Sequence, residues 1–224
     1  DFVVPATSPD ILPDTPSGAS GGSKLAKITD GAVIFDGTGD YLSVPDSDDF
    51  HLGTNDFTIE YFVYKNSTQG DNAHHVSQYG TSNANRSFLF RSVALPFTDI
   101  QFRWYTGGSE HTLNWSEGFL RAQEGWKHIC VQRKSGVIYL YIDGKLWATD
   151  STSNAAASIN NSTAPLTIGS DSNTGSEKPL NGSISNFRLI NGTAIYRIGG
   201  FNPPTKPLTN VTNTKLLTCQ STSF

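Results

Sequence analysis

The chain has 224 residues and a mass of 24.2 kDa, enough for one domain that buries roughly 70% of its unfolded surface. With 11% aromatic and only 16% charged residues, 21 glycines and 11 prolines, its composition suits strands and turns rather than long helices. A net charge of −4 offers no basic surface for nucleic acid, no apolar run is long enough to span a membrane as a helix, and Cys130 and Cys219 form neither a Cys-x-x-C pair nor a zinc cluster.

Residues 1–24, DFVVPATSPDILPDTPSGASGGSK, read as an extended arm ending in a Gly- and Ser-rich link, and residues 25–224 as the folded domain. Pro5, Pro9, Pro13 and Pro16 favour extended backbone, while Phe2, Val3, Val4, Ile11 and Leu12 give the arm apolar points of contact. Those contacts are expected with the domain or with another subunit of a homo-oligomer or larger assembly. Residues 1–56 carry ten acids against Lys24 and Lys27, so the front of the chain is acidic.

From Ala32, AVIFDG and DYLSV flank a turn at Asp36-Gly37-Thr38-Gly39-Asp40. DFTIEYFVY (56–64) alternates strictly, with Phe57, Ile59, Tyr61 and Val63 on the face assigned to the core and Thr58, Glu60, Phe62 and Tyr64 on the other. Further strands are expected at 87–92, 99–106, 127–133, 137–142, 145–149, 165–169, 183–190 and 215–219. Ile129, Val131, Ile138, Leu140 and Ile142 join the core, and Asp143-Gly144 makes the clearest two-residue hairpin. Many short strands without intervening helices predict an all-β fold of two packed antiparallel sheets. Both cysteines fall in strands and are expected to be buried and unpaired.

Three stretches in order, FDGTGDYLSVPDSDDFHLGTNDFTIEYFVY (35–64), GWKHICVQRKSGVIYLYIDGKLWA (125–148) and LTIGSDSNTGSEKPLNGSISNFRLINGTAIY (166–196), resemble the laminin-G-like branch of the concanavalin A-like lectin/glucanase superfamily. The resemblance implies a jelly roll of two curved sheets. It also implies a range of functions: carbohydrate binding, protein adhesion, accessory modules of enzymes and, in some branches, glycoside hydrolysis. FNPPTKPLTNVTNTKLLTCQS (201–221) is similar to modules of structural and tail-fibre-like proteins of marine bacteriophages, which implies an extracellular or virion-surface setting. Phe62 stands where the family often places Trp.

Calcium is the metal that the resemblance implies, and Asp36, Asp40 and Asp171 in DGTGD and GSDSN are its candidate ligands; Asx turns explain the same acids without an ion. A glycan platform needs aromatic faces beside polar groups, for which Trp104, Tyr105, Trp115 and Trp147 are candidates, with Arg103, Asp99 and Glu110 to hydrogen-bond. Core packing is the competing role for Trp104 and Trp147. Retaining hydrolysis needs two carboxyl groups about 5 Å apart. Glu60 is alone in its strand, Glu110 lies in a turn-rich segment, Asp143 is committed to a turn, and the E-x-D-x-x-E cluster of the hydrolytic branches is absent. His128 is expected in structural packing. Eight Asn-x-Ser/Thr sequences, at Asn66, Asn85, Asn114, Asn160, Asn161, Asn181, Asn191 and Asn210, would permit glycosylation in a secretory host. The sequence thus predicts a non-enzymatic module that binds glycans or proteins, with a glycoside hydrolase and a purely structural decoration domain as alternatives.

Overall fold

Among residues 31–66, 72–93, 99–115, 125–171 and 178–220, which the computed structural model describes, alternating segments form thirteen strands. They are β1 (Val33–Asp36), β2 (Leu42–Val44), β3 (Phe57–Lys65), β4 (His74–Tyr79), β5 (Arg86–Val93), β6 (Asp99–Thr106) and β7 (Ser109–Trp115). The second half adds β8 (Lys127–Lys134), β9 (Val137–Ile142), β10 (Lys145–Asp150), β11 (Leu166–Ile168), β12 (Asn181–Asn191) and β13 (Thr214–Thr218). The one α-helical segment among the described residues is a single turn, α1 (Ser153–Ala156). The arm expected over residues 1–24, with the subunit contacts assigned to it, lies outside the described residues.

The strands make an antiparallel jelly-roll sandwich. One sheet runs β1-β12-β3-β8-β9-β10, with β13 also paired to β12; the other runs β2-β11-β4-β5-β6-β7. Every strand expected from the sequence is present, with its ends displaced by no more than two residues. All nine expected core residues, from Phe57 to Ile142, are at most 1% exposed, and they pack against Phe88, Phe90, Phe102 and Trp104 from the facing sheet. Both cysteines are free and buried; burial pushes the Cys219 thiol up to about 12.

Two strands escape the sequence reading. HHVSQY (β4) has one aliphatic residue and no clean alternation, because its polar side chains are buried against partners far along the chain. The Tyr61 hydroxyl lies 3.1 Å from His75 Nδ1 and the Ser92 hydroxyl 2.7 Å from His75 Nε2, while Ser77 meets the Thr167 hydroxyl at 2.9 Å. β7 was read as part of a turn-rich stretch. Gly107 and Gly108 both take positive φ, 55° and 81°, so the polar stretch after β6 is instead a tight hairpin whose return strand is β7.

In β3 the alternation sorts residues between two buried faces, since all nine are buried. The face away from the core is sealed by residues 192–213, a strap containing Pro203, Pro204 and Pro207. Tyr196 and Phe201 stack at 3.7 Å and pack on Tyr141 and His128, and Asn186 Oδ1 accepts the Leu208 N–H at 2.9 Å. A Cβ at Gly144 would run into the Phe201 carbonyl, and its φ of 74° already favours glycine.

Beneath the strap lies Glu60, with no exposure. Its Oε2 accepts from His128 Nε2 at 2.9 Å and from the Tyr196 hydroxyl at 2.6 Å, and its Oε1 accepts from Arg188 Nε at 2.9 Å. Arg188 Nη1 continues to the Thr209 carbonyl at 2.7 Å. Burial alone would push the Glu60 carboxyl up, but the His128 hydrogen bond and charge, the Arg188 charge and the Tyr196 hydroxyl outweigh it and hold the carboxyl below its ordinary value. Arg133, also fully buried, gives its guanidinium to the carbonyls of Leu52, Gly53, Asn55, Ala155 and Ala157, tying β8 to the loop before β3 and to α1.

Two stability predictions arise from these buried groups. Glu60→Ala strands the Arg188 guanidinium without a counter-charge and should lower unfolding free energy by about 3–5 kcal/mol in urea titration; a loss under about 1 kcal/mol would contradict the hub. His75 is held down to about 3 by burial, with Lys65 and His74 adding to the effect. Between that value and an unfolded value near 6.5 the unfolded chain binds more protons, so stability is full above the upper limit and falls with pH at about 1.4 kcal/mol per unit. From pH 7 to pH 5, above the range in which carboxylates titrate, a loss of roughly 2 kcal/mol is expected, much reduced in His75→Gln. An unchanged slope in the variant would remove His75 as its source.

Candidate functional site

The hairpin β6–β7 and its neighbour β5 place alternate residues on opposite faces. Phe88, Phe90, Ile100, Phe102, Trp104 and Leu113 enter the core, so Arg91, Gln101, Arg103, Tyr105 and Glu110 share the outer face. Register brings them together: Arg91 pairs with Gln101, and Tyr105 with Glu110.

Glu110 Oε2 accepts from the Tyr105 hydroxyl at 2.7 Å and from Arg103 Nη1 at 3.0 Å. Gln101 Oε1 accepts from Arg91 Nε at 2.7 Å and from Arg103 Nε at 3.1 Å. From β4, Tyr79 meets the Tyr105 ring edge to face at 5.9 Å, and the Arg86 guanidinium carbon sits 4.0 Å above the Tyr79 ring. His74 adjoins Tyr79 at 5.6 Å, and its Nδ1 is 2.7 Å from Asp171 Oδ2. Here the face remains in contact with water: the Arg103 and Glu110 side chains are 18% and 34% exposed.

Burial, then the bond to Glu110, pushes the Tyr105 hydroxyl well above its ordinary value, so it stays a donor at neutral pH. Burial and then the Arg103 charge lower Arg91, with Glu110 opposing. His74 is lowered by burial despite Asp171 beside it. Tyr105 is buried and Arg86 covers one face of the half-buried Tyr79 ring, so this wetted surface offers a sugar chiefly guanidinium forks and a carboxylate acceptor that can bond its hydroxyls.

Of the residues expected at a glycan platform, Arg103, Tyr105 and Glu110 converge on this face, with the Tyr105 ring buried in it; the Asp99 side chain lies outside the described residues. Trp104 does not: it has no exposure, stacks on Phe102 at 5.8 Å inside the core and donates its indole N–H to the Asn154 carbonyl at 3.2 Å. Strand alternation forces this, because neighbours on one strand cannot share a face. Trp147 lies on β10 of the other sheet, packed against the core, with Lys145 Nζ 3.8 Å over its ring. The Trp115 side chain lies outside the described residues. Sequence reasoning missed Tyr79, Arg86, Arg91 and Gln101. The i, i+2 spacing of Gln101, Arg103 and Tyr105 was a usable signal; Tyr79 was hidden with the missed β4.

Nor do the three candidate calcium ligands come together. Among the described residues no three His, Cys, Asp or Glu side chains are gathered where one ion could reach them. Asp36 is exposed and accepts the Thr38 N–H at 2.7 Å, an Asx turn, and Asp40 is exposed. Asp171 is buried and taken up by His74. These residues do not fit calcium as the expected trio. Among the sequons, Asn191 is buried, and its Nδ2 donates to the Asp49 and His51 carbonyls, so its amide is committed to the fold.

The sequence matches the Laminin_G_3 family, described as the Concanavalin A-like lectin/glucanases superfamily, over residues 36–194. No curated protein matches. Among solved structures, domains LG4-5 of the mouse laminin α1 chain are similar at 14% identity and a TM-score of 0.52, over 84% of this chain and 49% of that one. The enzymatically active domain of tailspike protein 2 from bacteriophage CBA120 is similar at 16% and 0.55, over 90% and 35%. A putative carbohydrate-binding protein from Bacteroides ovatus is similar at 17% and 0.58, over 90% and 54%. The chain therefore spans about half or less of each of these structures. With the family matched across most of the domain and the sandwich observed strand by strand, the chain belongs to the Laminin_G_3 family of the concanavalin A-like lectin/glucanases superfamily.

Proposed function

We propose that the chain is a non-enzymatic binding module whose outer six-stranded face holds glycans, in an extracellular or virion-surface setting. The observation that carries this reading is the convergence of Tyr79, Arg86, Arg103 and Glu110 around the buried Tyr105 on one water-contacting sheet face. The similar fold of the Bacteroides ovatus protein, itself a putative carbohydrate-binding protein, lends support, and the tailspike likeness supports the setting.

Among the described residues two carboxylates adjoin this face, and their placement supports binding over hydrolysis. Glu110 is on β7 and Asp171 follows β11, at opposite ends of the strand order β11-β4-β5-β6-β7. Four strand spacings put them on the order of 15–20 Å apart, beyond the roughly 5–10 Å that either stereochemical course of glycoside hydrolysis requires. Each is also occupied, Glu110 by Arg103 and Tyr105, and Asp171 by His74.

Calorimetric titration against a panel of oligosaccharides is the test. Binding is expected, weakened at least about tenfold, or by about 1.4 kcal/mol, in Tyr79→Ala and unchanged in Trp147→Ala on the other sheet. Trp104→Ala should instead reduce unfolding free energy by about 3–5 kcal/mol as a core truncation. Binding that ignores Tyr79 would place the site elsewhere. Release of reducing ends, abolished by Glu110→Gln, would make the protein a hydrolase.

A further inference from the structure

The outer face carries an imbalance that its internal bonds leave unresolved. Arg91 and Arg103 both direct Nε to one neutral acceptor, Gln101 Oε1, at 2.7 and 3.1 Å. An amide oxygen accepts both N–H groups but brings no charge, so two guanidiniums are drawn together by a group that cannot neutralise them. One carboxylate, Glu110, answers Arg103 alone, through Nη1. Arg86 adds a third cation nearby, spent on the face of Tyr79. Asp171 is bonded to His74, the register partner of Arg91, and makes no direct pair with either guanidinium among the described residues. Among the described residues, Arg91 Nη1 and Nη2 and Arg103 Nη2 have no acceptor. These open cationic donors stand on a chain whose net charge is −4.

Guanidinium forks with open outer donors match the paired oxygens of a carboxylate or sulfate. We infer that this face selects acidic saccharides, with Arg91 and Arg103 clasping a uronate carboxylate or a sulfate ester while Gln101 holds the two side chains parallel. The inference rests on the glycan-binding reading above and adds the charge class of its ligand. An arriving anion supplies a counter-charge to the Arg91 and Arg103 donors that have no acceptor among the described residues, and a neutral sugar does not. Gln101 is a positioning residue, neutral so that the counter-charge must come from outside.

The full chain is titrated calorimetrically with polygalacturonate oligomers, dextran sulfate and uncharged dextran, with poly-glutamate as a non-saccharide polyanion. At least one acidic saccharide should bind about tenfold or more tightly than dextran, with affinity falling from about 50 to about 500 mM NaCl. Preference for polygalacturonate would identify carboxylate as the recognised group, and preference for dextran sulfate would identify sulfate; either supports the inference. Gln101→Glu is the diagnostic substitution, since it places a carboxylate between the two guanidiniums. It should raise the thermal unfolding midpoint and weaken acidic-saccharide binding at least about tenfold. Arg91→Gln should weaken that binding without lowering the midpoint. Equal affinity for dextran and the acidic polymers, acidic binding indifferent to Gln101→Glu, or equally tight binding of poly-glutamate would overturn the inference and leave glycan binding standing. Absence of binding to any saccharide would overturn the glycan reading itself.

Discussion

A carboxylate without solvent contact has to be neutralised where it stands, and Glu60 in the middle strand region of the seven-stranded sheet imposes that requirement on three other parts of the chain. His128 comes from β8, Arg188 from β12 and Tyr196 from the strap, each within 2.9 Å of a Glu60 oxygen by at least one bond. The first two are given by strand pairing, since β8 and β12 flank β3. Tyr196 is not: it reaches Glu60 only if residues 192–213 fold back over the sheet. Removing one member costs far more than the assembled group contributes, because the remaining charge has lost access to water. Sealing of the outer face of this sheet is thus coupled to completion of the charge hub.

That division leaves the two outer faces with opposite characters. Under the strap, Tyr196 stacks on Phe201, and both Glu60 oxygens are taken up by His128, Arg188 and Tyr196. On the six-stranded sheet, charged groups of the same kinds are only partly buried, and the Arg103–Glu110 pair is screened by water. Such a pair contributes roughly 0.2–1 kcal/mol, so its value to the fold is small and its partners remain free to exchange water for a ligand. Similar residue types serve architecture on one face and, on the proposed reading, recognition on the other, because solvent access differs.

The strand pattern was legible wherever burial alternates with period two or a turn carries its own signature. β9, the Asp143-Gly144 turn and β10 were readable for that reason. β4 was not, because each of its buried polar groups is satisfied by a residue distant in sequence: His75 by Tyr61 and Ser92, Ser77 by Thr167, Gln78 by Asp46. A polar strand with prearranged partners looks like a loop until those partners are in place. The candidate site was half legible on the same grounds. Arg103, Tyr105 and Glu110 belong to a single hairpin, and local register unites them. Tyr79 and Arg86 arrive through the β4–β5 pairing, which nothing in the local pattern announces, and Trp104 was drawn to the site only by its proximity along the chain.

The Asp143-Gly144 turn shows how a feature read correctly at one level carries a second role at the next. As a hairpin it needs positive φ at both residues, and it has 48° and 74°. Its side chain and backbone are then reused: Asp143 Oδ1 accepts the His128 N–H at 2.9 Å, while the Gly144 carbonyl accepts the Phe201 N–H at 2.9 Å. The turn therefore fixes the backbone of a residue in the charge hub and receives the strap that closes over that hub. Glycine is required for the turn by its dihedral angle and for the strap by the approach of the Phe201 carbonyl. Both constraints act on one position, so the closing of the seven-stranded face is written into the same two residues that set the β9–β10 register. With that face committed locally and through Glu60, the guanidinium donors that still lack partners among the described residues are on the other sheet, the one to which the proposed reading assigns ligand recognition.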